Sequence, residues 1–246
     1  MIHASLTDIN QFPMTSSSSP PRLFTDFDGP IMDVSERYYQ VYLLCVKQIR
    51  QPDQPVSILS KSAFWDLKRA KTKEQEIAVL TGLHEGNQPH LFWELRRQTV
   101  HTDPYFQYDR LIPTAITALE KVQAAGWELA VMTMRRTREL IPVLENYDLA
   151  RFFAPECRFH LADDFIKTDD VNDKTNLMRQ AQVLLPPTET QWMIGDTEAD
   201  LLAAQRHQIS AIGVLSGIRD KTQLEKLQPH FIAPDLLTAV SIILDS

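Results

Sequence analysis

Arg22-Leu23-Phe24-Thr25-Asp26-Phe27-Asp28-Gly29-Pro30 runs a short apolar stretch into two carboxylates and stops at a Gly-Pro breaker. That is the pattern of a strand that ends in a loop. From Ser35 the period changes. Tyr38, Val41, Tyr42, Cys45, Val46 and Ile49 recur at spacings of three and four, which predicts an amphipathic helix with Ser35 as its N-cap. Helical stretches at 64–70, 75–80 and 91–100 follow, broken by Pro52, Pro55, Gly82, Gly86 and Pro89. Trp65 and Trp93 are predicted to anchor a small core among them.

After Pro104 strands and helices alternate. Helices are predicted at 112–125 (opening at Pro113), 135–147, 174–185, 198–207, 222–227 and 234–244. Strands are predicted at 127–132, 157–161, 191–194 and 211–215. Such βα units build a parallel sheet covered on both faces. Residues 34–103, about 70 of helix without strands, interrupt the alternation and are long enough for a small helical domain. The expected organisation is a polar lead-in at 1–21, a core at 22–33 and 104–246, and an insert at 34–103.

Composition narrows the function. The 246 residues carry a net charge of -7, which argues against a nucleic-acid or anionic-membrane surface. An anionic substrate would need a local positive device, usually a metal ion. Cys45 and Cys157 offer neither a disulfide framework nor a zinc set, so reduced thiols in a cytoplasmic protein are expected. No apolar run reaches the ~18 residues of a membrane span, and the serine-rich start lacks a secretory pattern.

In an open parallel sheet, ligands bind beyond the carboxyl ends of the strands. Asp26 and Asp28 end the first strand, Thr133 the second, and Gly195-Asp196, followed by Asp200, a later one; Lys174 opens a helix before it. Clustered carboxylates repel unless a cation joins them, and hard oxygen donors suit Mg²⁺. A Lys and a Thr hydroxyl on the same edge would hold an oxyanion. Each element alone is commonplace, an Asp-x-Asp being ordinarily a solvated loop. Four of them in order, each at a strand end or helix start, are hard to reach by chance.

The set resembles the haloacid dehalogenase superfamily of phosphotransferases. Asp26-Phe27-Asp28-Gly29-Pro30-Ile31-Met32-Asp33 is similar to its first motif, Thr133 to its second, Lys174 to its third, and Gly195-Asp196-Thr197-Glu198-Ala199-Asp200 to its fourth. The resemblance runs from Leu23 to about Gly217. Pro30 stands where many relatives have Thr, and Lys174 lacks the frequent following Pro, so Lys167 competes for the third role. The resemblance implies an α/β fold, a Rossmann-like parallel sheet core with a small all-helical cap. It implies Asp26 as nucleophile, Asp28 as general acid and base, Thr133 and Lys174 as holders of the phosphoryl oxygens, and Mg²⁺ on Asp26, Asp28 (through its backbone carbonyl) and Asp196. Asp200 would be a further ligand or orient the others, and Asp33 an N-cap or hinge.

The implied activity is a phosphatase for a small phosphorylated metabolite, of phosphoglycolate or sugar-phosphate type. A phosphomutase and a non-catalytic binding module on this fold are the alternatives. Oligomeric state stays open, a monomer being favoured. Arg135, at an expected helix start beside Thr133, is a candidate substrate contact. Lys68, Arg69, Lys71 and Lys73, with Arg96 and Arg97, read first as a solvated helix face and second as selectors of an anionic leaving group. His84, Glu85, His90 and His101 read as surface or loop residues.

Overall fold

The computed structural model describes residues 19–245. Residues 1–18, most of the expected lead-in, lie outside them. The chain opens with β1 (Arg22–Thr25) and a two-residue strand β2 (Met32–Asp33). Four helices follow: α1 (Ser35–Ile49), α2 (Lys61–Arg69), α3 (Glu74–Thr81) and α4 (Gln88–Thr99). A second short strand, β3 (Arg110–Leu111), then pairs antiparallel with β2, Met32 opposite Leu111 and Asp33 opposite Arg110. The chain therefore leaves the core and re-enters it through adjacent strands.

The alternating part runs α5 (Ala115–Ala124), β4 (Glu128–Arg136), α6 (Thr137–Asn146), β5 (Arg158–Leu161), α7 (Asp170–Leu184), β6 (Gln191–Gly195), α8 (Glu198–Arg206), β7 (Ser210–Val214), α9 (Lys221–Glu225), β8 (Phe231–Ala233) and α10 (Leu236–Leu244). The large sheet has six parallel strands in the order β5-β4-β1-β6-β7-β8. Its strands bury alternate residues on opposite faces. Leu23, Leu129 and Val131 face a cluster with Leu119 of α5, Leu140 of α6 and Val240 of α10. Phe24, Ala130 and Met132 face Met178 of α7 and Leu201 of α8. β1 lies centrally, between β4 on one side and β6 on the other, so the topology switches at its carboxyl end.

Several boundaries differ from the sequence reading, each for a local reason. β4 continues past Met132 to Arg136 through an irregularity in its pairing with β5, so Arg135 lies in a strand. The next helix starts at Thr137, where the Arg136 N–H donates to Glu139 Oε2 at 3.1 Å. α7 begins at Asp170, not Lys174: Asp169 caps it by accepting from Asn172 N at 3.0 Å, while Asp173 accepts from Thr168. Ser35 is inside α1, and the Asp33 carboxylate takes its N–H at 2.8 Å. α5 starts at Ala115 because Ile112 N is tied to Ile31 O at 2.9 Å. β8 is a strand the sequence reading lacks.

The helical insert has a hydrophobic cluster of its own, centred on Val41, Tyr42, Cys45, Phe64, Ile77 and Phe92. Trp65 packs at the edge of this cluster and of the sheet core, whereas Trp93 sits outside it, beside His90 and Arg97. Tyr42 stacks on Phe64 at 4.8 Å, so these rings take the anchoring place expected of the tryptophans. Both cysteines are buried and unpaired. Among the described residues no helix is long and apolar enough to cross a membrane.

Candidate active site

The carboxyl end of β1 opens onto a cavity of about 450 Å³, within the roughly 300–1,000 Å³ range of small-molecule sites. Asp26, Asp28, Thr133, Arg135, Lys174 and Asp196 all line it, and Asp200 lies fully buried beneath. Lys167 also borders the cavity, on an exposed loop.

The floor is set by backbone. Asp26 N donates to Ile194 O at 2.8 Å, which locks the end of β1 beside β6 and so brings Asp26 next to Asp196. The Asp196 carboxylate, through Oδ2, accepts from Ile218 N at 2.6 Å. Gly29, with φ +94°, and Gly217 pack onto that carboxylate; a Cβ at Gly217 would stand 1.9 Å from Oδ2. Only glycine fits this cradle.

Lys174 reaches the same place from α7. Its ammonium lies 2.8 Å from Asp26 Oδ1 and 2.5 Å from Asp200 Oδ1. Asp26 Oδ1 also accepts from Phe27 N at 2.7 Å, and among the described residues no hydrogen bond falls on Oδ2. Asp200 Oδ2 accepts from Thr197 N at 3.0 Å and Thr197 Oγ1 at 2.7 Å, which fixes the first turn of α8. Burial, then Asp200, pushes Asp26 well above the usual carboxylate range, against the pull of Lys174. The same two causes push Asp196 up to about 7. Burial alone would lower Lys174, but Asp200 and Asp26 hold it above its ordinary value.

Such a floor fits a divalent cation. Carboxylate oxygens of Asp26, Asp196 and Asp200 lie within 4.8 Å of one another. Oδ1 of Asp196 is buried without a hydrogen bond, an expensive arrangement that a cation relieves. The Asp28 side chain is not among these donors, in keeping with the expectation that this residue offers the metal its backbone carbonyl.

Asp28 faces two arginines instead. Arg37 of α1 donates to its Oδ2 at 2.8 Å and Arg135 Nε to its Oδ1 at 2.8 Å. Both guanidiniums also pair with Asp109, and both lie over the Phe106 ring. Burial would raise Asp28, but Arg135 and Arg37 outweigh it and hold the carboxyl well below its usual range. Asp109, dominated by burial, is pushed up to about 6. Arg135, expected as a substrate contact, lines the cavity and is engaged on Asp28, Asp109 and the Glu139 carbonyl. Thr133 is buried, and its Oγ1 accepts from Arg135 N at 3.2 Å.

Arg37 and Asp109 are absent from the sequence-derived site. Arg37 had a usable signal, since it shares a face with Val41 and Cys45 at i+4 and i+8. Lys68 contradicts the solvated-face reading: it is 8% exposed and lines the cavity with Tyr38, Lys71 and Arg96. His101, read as a surface or loop residue, lines it too, 3.4 Å from Arg37.

A family model described as HAD-hydrolase-like matches residues 174–239. The phosphoglycolate phosphatase of Vibrio cholerae is 27% identical over 161 residues, covering 64% of this chain and 65% of that protein. The matched stretch thus spans slightly under two thirds of this relative. The phosphoglycolate phosphatase of Agrobacterium fabrum is 26% identical over 90% of this chain and 91% of its own length. Among solved structures, a haloacid dehalogenase-like hydrolase from Streptococcus pneumoniae superposes with a TM-score of 0.64 at 20% identity, covering 92% of this chain and 99% of that one.

Proposed function

We propose that the chain is a member of the haloacid dehalogenase superfamily and a Mg²⁺-dependent phosphatase of small phosphorylated metabolites, acting in the cytoplasm; the family-model match and the similarity to phosphoglycolate phosphatases support this reading. The substrate class is of phosphoglycolate or sugar-phosphate type. One observation carries the proposal: Lys174 bridges Asp26 and Asp200 while the neighbouring Asp196 keeps a buried oxygen for a cation.

Asp26 Oδ2, left without a hydrogen bond by Lys174 and Phe27 N, attacks phosphorus as the bond to the leaving oxygen breaks, giving an aspartyl-phosphate. Thr133 and Lys174 hold the oxygens on which charge gathers. Asp26, Asp196 and the Asp28 carbonyl would hold Mg²⁺, which would supply the positive charge that lets a carboxylate approach a phosphate dianion. Asp200 keeps Lys174 and Thr197 in place. Asp28 gives the leaving oxygen its proton and then takes one from the attacking water. It must release Arg37 and Arg135 to do so, because their charge opposes protonation. Residues 34–103 act as a cap over a core of 22–33 and 104–246, excluding water from the cavity.

The test is hydrolysis of p-nitrophenyl phosphate with and without Mg²⁺ by the wild type and by Asp26→Asn. Metal-dependent turnover that disappears in the variant, with circular dichroism unchanged, is expected; retained activity overturns the assignment. With a hexose 1-phosphate, released phosphate marks a phosphatase and the 6-phosphate a mutase.

A further inference from the structure

The insert gives the cavity three charged side chains other than His101, namely Lys68, Lys71 and Arg96, and all three are cationic. Every carboxylate that lines the cavity comes from the other part of the chain. Lys71, on the rim, is paired with Glu198 at 2.8 Å, and Arg219 donates to both oxygens of that carboxylate. Lys68 and Arg96 are different: they share one carboxylate oxygen deep in the wall. The Lys68 ammonium sits on Glu74 Oε1, and Arg96 Nε lies 3.2 Å from the same atom. Glu74 is itself buried and does not line the cavity.

Two cations on one carboxylate leave a surplus positive charge in a largely buried cluster. Lys68 and the Glu74 side chain are about nine-tenths buried, and the Arg96 side chain is 19% exposed. Such a surplus is costly unless an anion offsets it. Both cations also lie over the Tyr38 ring, at 5.9 and 4.8 Å, so an aromatic face orients them toward one wall. The phosphoryl group does not supply the missing anion, because Asp26, Lys174 and the cation site hold it at the floor.

We infer that Lys68 and Arg96 form a subsite for a second anionic group on the leaving group, with Glu74 as the positioning residue that holds both. The preferred substrate is then a phosphomonoester whose alcohol portion carries a carboxylate or a further phosphate, rather than a neutral sugar phosphate. This rests on the phosphatase reading above.

Matched ester pairs test it in the wild-type protein with Mg²⁺. 3-Phosphoglycerate against glycerol 3-phosphate asks for a carboxylate, and fructose 1,6-bisphosphate against fructose 1-phosphate asks for a second phosphate. A charge-assisted contact predicts kcat/KM about 10- to 100-fold higher for the charged member of one pair. Lys68→Met and Arg96→Met should each bring that ratio toward one, and Arg96→Lys should restore most of it. Equal turnover within both pairs in the wild type overturns the subsite, whatever the variants do. So does a preference that survives both methionine variants. In each of those results the phosphatase reading stands, whereas no turnover of any ester, p-nitrophenyl phosphate included, overturns both.

Discussion

The two sides of the cavity are built on opposite charge plans. The floor gathers three buried carboxylates around one lysine, Lys174. The wall gathers two cations around one carboxylate, Glu74. Each side is one charge out of balance or more, and in opposite senses. Neither is an arrangement that stability alone would favour, because desolvating an unpaired charge costs several kcal/mol. On the function and subsite proposed above, the difference assigns the two halves of a ligand: a cation with a phosphoryl group to the floor, an anion to the wall.

The largest effect should come from removing the lysine at the floor. Lys174→Met leaves Asp26, Asp196 and Asp200 crowded and buried, and should lower the unfolding free energy by about 3–5 kcal/mol. Urea denaturation of the two proteins measures it; a loss below 1 kcal/mol would mean the floor tolerates its own repulsion, and the contrast with the wall would lose its basis. Mg²⁺ should act in the opposite direction. At a hundred times its dissociation constant it stabilises by about 2.7 kcal/mol, seen as a rise in Tm, and Asp196→Asn should remove most of that rise. A Tm insensitive to Mg²⁺ would leave Asp196 Oδ1 without the partner assigned to it.

A smaller effect separates the wall. Burial, then Arg96, brings Lys68 down to about 8 from its ordinary 10.5, against the pull of Glu74. Tyr38 of α1, Glu74 of α3, Arg96 of α4 and the more distant Arg219 are the groups that face it. Between those two pH values the unfolded chain binds the extra proton, so raising the pH favours the fold. The stability difference between wild type and Lys68→Met should therefore shift toward the wild type as pH rises from about 8 to about 10.5. A difference that is flat across this window would mean that Lys68 is solvated like an ordinary surface lysine.

The floor was legible in the sequence and the wall was not, for a physical reason. Asp26, Thr133 and Asp196 sit where strands end, and a parallel sheet sends all its strand ends to one edge. A linear pattern therefore suffices to bring them together. Lys174 was found for an incorrect reason, since α7 starts four residues earlier under the Asp169 cap. The wall depends on how helix faces turn toward the core. Lys68, Lys71 and Lys73 lie close together in sequence, yet the first is buried and the other two are exposed. The partners of Asp28 come from α1 and β4, and Asp109, the residue before β3 that shares them, carries no local mark of its role. Arg37 alone could have been singled out, from its place on the apolar face of α1.

The antiparallel pairing of β2 with β3 has a consequence for how such a molecule changes over generations. The two ends of the 70-odd residues between them are already held together, so the entropy of closing that excursion is met at the base and grows only with the logarithm of its length. Residues there can be lengthened, shortened or exchanged without disturbing the register of the six-stranded sheet. Chemistry and choice of substrate are thus separable inheritances. A lineage could recast Lys68 and Arg96 to admit a new alcohol while Asp26, Lys174 and Asp196 stayed as they are.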